Sequence, residues 1–224
     1  MLETGGVPDA VIFDLDGVLL DSEQLWNVAK QQLVEATGGR WEDDAPHAMM
    51  GMSSPEWAAY MRDSLAVPLG TNEINREVVG RMEGFYRDRL PLLPGAADAV
   101  RGLAANWPLG LASSSNREII DLAIATAGLT DAFTVTVSSE EVARGKPAPD
   151  VYLEAARRLG VDPMRCVAVE DSSNGLRAAA AAGMTVIAVP NEHYPPTAQA
   201  LALAAAQVPI PGEITPALVQ ALAP

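Results

Sequence analysis

Short apolar runs alternate with longer amphipathic stretches along much of the chain. Six runs predict strands, at 10–13, 107–112, 133–137, 166–169, 185–189 and 206–210. Runs without polar alternation, such as 185–189, are typical of strands that are covered on both faces, as in a parallel α/β sheet. The intervening patterns predict helices at 96–105, 116–127, 150–159, 173–182 and 214–222. Glycines follow three of these helices, where a left-handed residue ends a helix well: Gly128, Gly160 and Gly183.

The stretch from 23 to 89 breaks this alternation. It has helical patterns at 24–36, 54–65 and 72–89 but no convincing strand. Over 90 residues separate the first two predicted strands, which is too many for one crossover connection. We therefore expect an α/β fold in which a Rossmann-like parallel sheet core with helices on both faces carries a small α-helical cap domain inserted after the first strand. The predicted division is 1–22 and 90–224 for the core and 23–89 for the cap, with the proline-punctuated segment 90–95 as the second hinge.

Composition narrows the classes of function. The chain has 224 residues, 49% of them hydrophobic, and a formal net charge of −14, which argues against nucleic acid and anionic membranes as partners. No apolar run reaches the ~18 residues of a membrane-spanning helix, and residues 1–6 lack the features of a signal peptide. We expect a cytoplasmic protein, and a monomer because nothing in the sequence demands a partner. The single cysteine, Cys166, precludes an internal disulfide and lies in an apolar run, as a core residue would.

An acid pair follows the first predicted strand. Asp14 and Asp16 come directly after the apolar run, and Gly17 ends the extended segment. If the extended conformation continues, residues i and i+2 share one face, so the two carboxylates lie side by side. Two like charges at such a short distance repel each other, so a proton, a lysine or a hard cation must neutralise them. Taken alone, the pair fits a metal site and an ordinary strand-to-loop junction equally well.

Hydroxyl groups follow the second predicted strand. Ser115 and Glu118 have the spacing of a capping box, which predicts that a helix begins there. Ser113 and Ser114 then precede a helix N-terminus, whose free N–H groups favour an anion. A helix cap with two spare serines explains the same pattern.

A lysine and a second acid pair follow the third and fourth strands. Lys146 lies beside Pro147 and near Pro149, so a stiff loop presents it, although a solvated surface lysine fits as well. The chain uses arginine 13 times and lysine twice, and a lysine in a loop then indicates a need for a compact point charge. Glu170 and Asp171 offer oxygen ligands at the next strand end, or equally a helix N-cap.

The strand ends together predict a phosphoryl site. In an open parallel sheet, ligands bind beyond the carboxyl ends of the strands. Four carboxylates with one lysine would repel a phosphate dianion, so a divalent cation must intervene. Mg²⁺ fits best because the candidate ligands are oxygens and no His/Cys cluster exists in the sequence. With the cation bound, Lys146, Ser113 and the helix N-terminus suffice to hold a phosphoryl group of a small substrate.

These blocks, in this order, resemble the haloacid dehalogenase superfamily of phosphohydrolases. The matching segments are 14–22, Ser113, 146–150 and 170–172, and the likeness covers essentially the whole chain. The helical insert looks like the cap of the β-phosphoglucomutase-like subfamily, and the segment 21–26 looks most like its sugar-phosphate phosphatases.

The resemblance implies a role for each matching residue. Asp14 would be the nucleophile that forms an aspartyl-phosphate, and Asp16 would protonate the leaving oxygen and then activate water. Lys146 would bind phosphoryl oxygens and steady Asp14. Mg²⁺ would sit on Asp14, Asp16 through its backbone carbonyl, and Asp171, with Glu170 close by. The residues expected to bind the phosphate group are Gly17, Ser113, Ser114, Asn116 and Lys146.

Departures from the family patterns separate the alternatives. Mutases of this type carry a histidine in the first cap helix and an arginine after the cap loop, and Trp26 and Ser54 occupy those places here. Neither can grip a second phosphate, which disfavours phosphoryl transfer between sugar positions. Trp26 would cover the seam between cap and core or contact the substrate. Specificity is expected to depend on the loop at 50–53, with Trp57 or the flanking methionines as lining or as core filling.

Three further alternatives remain. Dehalogenases resemble the chain only around the nucleophile, and the Asp16-Gly17 pair argues against that chemistry. A phosphonate hydrolase needs a cap lysine for a Schiff base, and Lys30 is the only candidate, although a lysine on the helix surface is the simpler interpretation. A non-catalytic relative could bind a ligand through the same fold. The predicted function is Mg²⁺-dependent hydrolysis of a small phosphomonoester, with a sugar phosphate as first choice.

Overall fold

A parallel sheet organises the molecule. The structure is a computed structural model, and it describes residues 6–50 and 52–222. Its strands are β1 Ala10–Phe13, β2 Leu109–Ser113, β3 Val135–Ser138, β4 Cys166–Glu170, β5 Thr185–Ala188 and β6 Ala206–Gln207. All neighbours pair in parallel, in the order β3-β2-β1-β4-β5-β6. The chain leaves β1 on one side for β2 and β3 and returns on the other side for β4. The point at which the strand order reverses therefore lies between β1 and β4, where ligands bind in such sheets.

The strands are apolar throughout because the sheet is covered on both faces. In β1, Val11 and Phe13 belong to one hydrophobic cluster, whereas Ala10 and Ile12 belong to a second cluster on the opposite face. All four side chains are fully buried. Successive strand residues point to opposite faces, so a strand with no polar alternation has a core on each side.

Helices cover both clusters. Their bounds are α1 Glu23–Ala36, α2 Ala45–Met49, α3 Ser54–Asp63, α4 Thr71–Asp88, α5 Ala96–Ala104, α6 Arg117–Thr126, α7 Asp150–Leu159, α8 Ser173–Ala181, α9 Ala198–Leu201 and α10 Pro216–Ala221. The first cluster contains side chains of α5 and α6, and the second contains side chains of α7 and α8. The predicted α/β fold, a Rossmann-like parallel sheet with helices on both faces, is confirmed.

The six predicted strands and eight predicted helices are all present; β1 and α7 have the predicted bounds and the others have shifted ends. β6 has two residues instead of the five predicted at 206–210, since Pro209 cannot donate a ladder hydrogen bond. Two helices, α2 and α9, were not predicted, and their five and four residues are too few to show a helical period. Gly128, Gly160 and Gly183 have φ of 64°, 72° and 82°, as predicted for residues that follow helices.

Five helices, α1 to α5, lie between β1 and β2, and the first four fall within the predicted insert at 23–89. Within this insert α4 packs against α1 and α3, and it also packs against α6 of the core. The two connecting segments pair with each other: Leu20 bridges Leu92, and the Asp21 N–H donates to the Pro91 carbonyl at 2.8 Å. The division at 1–22, 23–89 and 90–224 stays a prediction, but the segment at 90–95 lies where a second hinge is expected.

Two smaller expectations concern the thiol and the membrane. Cys166 is fully buried at the start of β4, and burial raises the pKa of its thiol to about 12, as suits a core residue. Among the described residues, no helix combines the length and the apolar character needed to cross a bilayer. Of the N-terminal segment considered above, residues 1–5 lie outside the described part of the chain.

Candidate active site

Three buried carboxylates meet where the strand order reverses. Asp14 directly follows β1, Glu170 is the last residue of β4, and Asp171 comes next. Each offers an oxygen, and these atoms lie within 4.8 Å of one another. β1 and β4 are hydrogen-bonded neighbours, and the Asp14 N–H donates to the Val169 carbonyl at 3.0 Å. The predicted meeting of the acids at the sheet edge is therefore present, and we call these three residues the acid cluster.

The acid cluster is electrostatically costly without a cation. Burial, together with the charges of Glu170 and Asp16, raises the pKa of Asp14 to about 8, although the ammonium of Lys146 lowers it. Burial, Glu170 and Asp14 raise the pKa of Asp171 well above its usual range. Three buried carboxylates whose oxygens lie this close together fit a hard divalent cation such as Mg²⁺.

Lys146 is a buried counter-ion and not a solvated surface lysine. Its ammonium lies 2.8 Å from Asp14 Oδ1 and 2.5 Å from Glu170 Oε1, above the Tyr152 ring at 5.1 Å from its centroid. Burial disfavours the charged amine, but the two carboxylates outweigh burial and raise the pKa of Lys146. Arg144, on the same loop, pairs instead with the Asp150 carboxylate at 2.9 Å, with its side chain 70% exposed. The loop thus directs one cation inward and one outward.

Glu170 is held in place as well as belonging to the acid cluster. Its Oε1 accepts from Lys146 and from the Tyr152 hydroxyl at 2.8 Å, and its Oε2 accepts from the N–H groups of Asp171 at 3.0 Å and Ser172 at 3.3 Å. A Cβ on Gly175 would lie 1.9 Å from the Glu170 carboxyl group, so α8 can approach only with glycine there. Glu170 is thereby fixed as the partner of Lys146.

Asp16 departs from the prediction. Its carboxylate does not belong to the acid cluster, because β1 ends at Phe13 and the extended conformation does not continue to residue 16. Asp16 is therefore not one of the three acids that share the site, as the i and i+2 spacing had predicted, although its charge still raises the pKa of Asp14. The Asp16 carboxylate accepts hydrogen bonds from Ser115 Oγ at 2.5 Å, from Trp26 Nε1 at 3.2 Å and from the Ser22 hydroxyl. It links the core to the first helix of the insert.

Gly17 makes room for the acid cluster. Its φ is +77°, in the left-handed region, and a Cβ there would lie 1.9 Å from Asp171 Oδ2. The absence of a side chain at Gly17 is thus required by the turn and by the neighbouring carboxylate.

The hydroxyl groups after β2 differ from the prediction at the start of the helix. The capping box at Ser115 and Glu118 is wrong: α6 begins at Arg117 with Asn116 as its N-cap residue, because the Ser115 hydroxyl is committed to Asp16. Ser113 is fully buried, and its Oγ accepts from the Ser115 N–H at 3.0 Å, which leaves its proton available to an anion. Ser114 lines the pocket beside the acid cluster, whereas Ser113 does not.

Asn116 also differs from its expected phosphate-binding role. Its side chain accepts from Ser54 Oγ at 2.8 Å and donates to Asn75 at 3.2 Å and Glu140 at 2.7 Å. These bonds tie the start of α6 to the insert and to the turn after β3. Asn116 still lines the pocket, but its amide is already engaged.

The turn after β3 is fixed by a second network. Glu141 accepts from the Ser138 N–H at 3.0 Å and forms ion pairs with Arg117 and, at 2.7 Å, with Arg158. Burial alone raises the pKa of Glu141, but these hydrogen bonds outweigh it and lower the pKa to about 2. The network joins α6, α7 and the segment that leads into the lysine loop.

One pocket opens over the acid cluster, and the insert supplies about half of its wall. The lining residues from the insert are Glu23, Trp26, Asn27, Lys30, Pro46, Met49, Met50, Met52, Ser54 and Trp57. The expectation that the cap loop and its methionines line the pocket is supported by Met50 and Met52, and Gly51 of that loop lies outside the described residues. Met49 is also part of the hydrophobic core.

Lys30 is the main residue that the sequence misassigned. A lysine on the helix surface was expected, but the side chain is buried, 6% exposed, and lines the pocket. It shares one face of α1 with Glu23, Trp26 and Asn27, at the i, i+3, i+4 and i+7 positions that lie together on a helix. This spacing of polar residues was a signal available in the sequence.

Comparison with known proteins places this site in a family. A family model described as haloacid dehalogenase-like hydrolase matches residues 8–183. Hexitol phosphatase B from Escherichia coli (strain K12) is 36% identical over 187 residues, which are 81% of this chain and 83% of that protein. Fructose-1-phosphate phosphatase YqaB from the same strain is 32% identical over 181 residues, 80% of this chain and 95% of that protein.

A solved structure extends the likeness to three dimensions. The structure of CbbY from Rhodobacter sphaeroides in complex with phosphate matches with a TM-score of 0.84 and 27% identity, and the match covers 96% of this chain and 100% of that chain. The strand order, the buried acids and the lysine loop are thus accompanied by overall likeness in sequence and fold. The chain therefore belongs to the haloacid dehalogenase-like hydrolases and is a phosphoric monoester hydrolase of that family.

Proposed function

We infer that the protein is a Mg²⁺-dependent phosphatase that hydrolyses a small phosphorylated metabolite, a sugar phosphate by preference, through a phosphoryl-Asp14 intermediate. The observation that carries this inference is the acid cluster with Lys146 at 2.8 Å from Asp14, at the base of the pocket. A carboxylate is an adequate nucleophile toward phosphorus when nearby cations neutralise both reacting groups.

The residues that would hold Mg²⁺ are Asp14, Asp171 and the backbone carbonyl of Asp16, with Glu170 beside them. When bound, the cation would neutralise the acids and the phosphoryl oxygens and keep Asp14 ionised. Lys146 holds Asp14 in position and offers its ammonium to the phosphoryl group. Ser114 lines the same pocket, and the Ser113 hydroxyl retains a proton to donate.

Asp16 is the proposed general acid and base. It lines the pocket, apart from the acid cluster, and its hydrogen bonds from Ser115, Trp26 and Ser22 fix its carboxylate. Two carboxylates in unlike surroundings can hold different protonation states, as a nucleophile and an acid require. Asp16 would donate a proton to the leaving oxygen and then accept one from the attacking water.

The substrate class is proposed from the relatives and from the pocket. The relatives are named for hexitol and fructose 1-phosphate phosphatase activities. The pocket contains both tryptophan rings and polar groups, which suit a small molecule with apolar carbon faces and hydroxyl groups. A small phosphorylated molecule is therefore the proposed partner.

The insert is proposed to act as a cap. Residues of the insert complete the pocket wall, and the two paired linkers are the natural place for a hinge. Closure would exclude water from the phosphoryl group until the leaving group has departed.

Phosphoryl transfer between sugar positions is less well supported. The position at which mutases of the subfamily carry a histidine holds Trp26, whose indole N–H donates to Asp16. The arginine position holds Ser54, whose hydroxyl donates to Asn116. Both side chains are engaged within the protein, and neither offers a cation to a second phosphate.

Release of phosphate from 4-nitrophenyl phosphate tests the proposal. Turnover should disappear with EDTA and return with Mg²⁺, and Asp14→Asn should fold but lack activity. Asp131→Asn, an exposed change in the turn before β3, is the matched control and should behave as wild type. Turnover that survives chelation would refute the metal requirement, and an active Asp14→Asn variant would refute the nucleophile.

A further inference from the structure

Both lysines of the chain line the same pocket. Lys146 reaches it from the core and Lys30 from α1 of the insert, whereas none of the described arginines lines it. Lys146 has a role in the proposed function, beside the reacting phosphoryl group. Lys30 has none, although a buried ammonium costs free energy unless it is compensated.

Lys30 lies in an aromatic corner. Its Nζ is 5.2 Å from the centroid of the Trp57 ring and 5.7 Å from that of Trp26, and the two rings are 6.4 Å apart at 52°. Cation–π attraction offsets part of the cost of burial. Among residues 6–50 and 52–222, the ammonium has neither a hydrogen bond nor an ion pair. Its donors are therefore free to bind a ligand in the pocket.

Glu23 accompanies Lys30 on the same face of α1. The two residues are seven positions apart, and the Glu23 carboxylate is near enough to raise the pKa of the Lys30 ammonium, although the two form no ion pair in the described part of the chain. Both side chains line the pocket, as does Asn27 between them. The wall facing the acid cluster thus offers an acceptor at one end and donors at the other.

The charges of the pocket indicate what this wall binds. Even when Asp16 carries the proton that a general acid donates, the lining carboxylates Asp14, Glu23 and Asp171 outnumber the two lysines. A phosphoryl dianion and a divalent cation cancel each other, so the loaded pocket stays negative. A second anionic group on the substrate would be repelled. A hydroxyl group, which both donates and accepts, suits a lysine and a glutamate equally.

We propose that Lys30 and Glu23 are specificity-determining residues that bind the hydroxyl groups of an uncharged, polyhydroxylated leaving group. This assignment deepens the proposed function and rests on it. The preferred substrates are monophosphates of neutral sugars or polyols, whose C–H faces pack on Trp26 and Trp57 while the hydroxyls bond to α1. Sugar bisphosphates and phosphorylated sugar acids are discriminated against.

The test compares kcat/KM for three esters in saturating Mg²⁺. Glucitol 6-phosphate is a neutral polyol ester, 6-phosphogluconate has the same carbon chain with a carboxylate at its far end, and 4-nitrophenyl phosphate lacks hydroxyls. The wild type should prefer glucitol 6-phosphate to 6-phosphogluconate by at least about tenfold. Lys30→Met should lower kcat/KM for glucitol 6-phosphate by about 10- to 100-fold, mainly through KM, as expected for a lost hydrogen bond from a charged donor.

The effect must be specific to the polyol. In Lys30→Met and in Glu23→Gln, the ratio of kcat/KM for glucitol 6-phosphate to that for 4-nitrophenyl phosphate should fall at least about tenfold. Gln32→Met, on the exposed face of the same helix, is the matched control and should leave the ratio unchanged. Circular dichroism and Tm identify any variant that has lost its fold.

The outcomes separate the two claims. Equal losses on both esters in folded Lys30→Met would overturn the assignment, and so would a wild-type preference for 6-phosphogluconate. A wild type that hydrolyses none of the three esters in Mg²⁺ would overturn the proposed function itself.

Discussion

Replacing Lys146 by methionine tests the electrostatics of the site most severely. The substitution removes one positive charge from between Asp14 at 2.8 Å and Glu170 at 2.5 Å, with all three side chains buried. Removing one partner from a buried pair typically costs about 3–5 kcal/mol of unfolding free energy. Glu170 keeps its bonds from Tyr152 and two backbone N–H groups, and Asp14 can take up a proton. We therefore expect the loss of unfolding free energy in EDTA to lie at the lower end of this range, at about 3 kcal/mol.

The same variant should lose most of its catalytic power. Removing a group that stabilises transition-state charge costs about 10²–10³ in kcat. Mg²⁺ should reduce the loss of stability, since the cation supplies positive charge to the same acids, but it should not restore the rate. Urea unfolding with and without Mg²⁺ measures the first effect, and steady-state kinetics on 4-nitrophenyl phosphate measures the second.

Arg144→Met is the control for Lys146→Met. It removes a cation from the same loop, but one that is 70% exposed and paired at the surface. Arg144→Met should change the unfolding free energy by no more than about 0.5 kcal/mol and should retain the activity. Equal effects of the two substitutions, or wild-type turnover in Lys146→Met, would refute the reasoning.

Three further predictions concern the surroundings of the site. Ser115→Ala removes the hydrogen bond to the proposed general acid, so kcat should fall about tenfold for an alkyl phosphate but less for 4-nitrophenyl phosphate, whose leaving group needs no proton; equal losses would contradict that role. Gly17→Ala should weaken Mg²⁺ binding, measured by calorimetry, because the added methyl group would meet the Asp171 carboxylate. Gly38→Ala is the control: its φ is also positive, at +76°, but the space around it is open, so the backbone should be strained while Mg²⁺ binding is retained. Glu141→Gln should cost about 1 kcal/mol of unfolding free energy above pH ~4.5. The difference from wild type should vanish as the pH falls toward 2, because the pKa of Glu141 in the folded state is lowered to about 2. Urea unfolding across this pH range measures the difference, and a difference that does not depend on pH would contradict the prediction.

The sheet and the acid cluster were predictable because they depend on local pattern and on a general property of parallel sheets. Apolar runs fix the strands, and parallel strands bring their carboxyl ends to one edge. The strand order alone is therefore enough to predict that Asp14, Glu170 and Asp171 lie close together. The loop prolines likewise indicated that a stiff loop presents Lys146, and the structure adds that its side chain is buried.

The orientation of side chains around that edge was harder to predict. Asp16 turns toward Ser115 and Trp26 because β1 ends at Phe13, and a strand end is the least certain feature of a hydrophobic run. The Ser115 hydroxyl could cap a helix or bond to a carboxylate, and only tertiary structure decides between them.

The insert face of the pocket was the least predictable part. Whether Lys30 faces solvent or the pocket depends on how α1 lies over the core, and α4, which packs against both α1 and α6, connects the two. An amphipathic pattern identifies the two faces of a helix but not what covers a polar one. The missed signal was the spacing of Trp26 and Lys30, which are four residues apart on α1 and therefore share one face of that helix.

The most direct test of the account is to locate phosphate on the enzyme during turnover. The enzyme is mixed with a ³²P-labelled phosphomonoester and Mg²⁺, quenched in acid within milliseconds, digested and mapped by mass spectrometry. The account predicts an acid-stable label on Asp14 that requires Mg²⁺ and is absent from Asp14→Asn. A label on any other residue, or an equal label in Asp14→Asn, would contradict it.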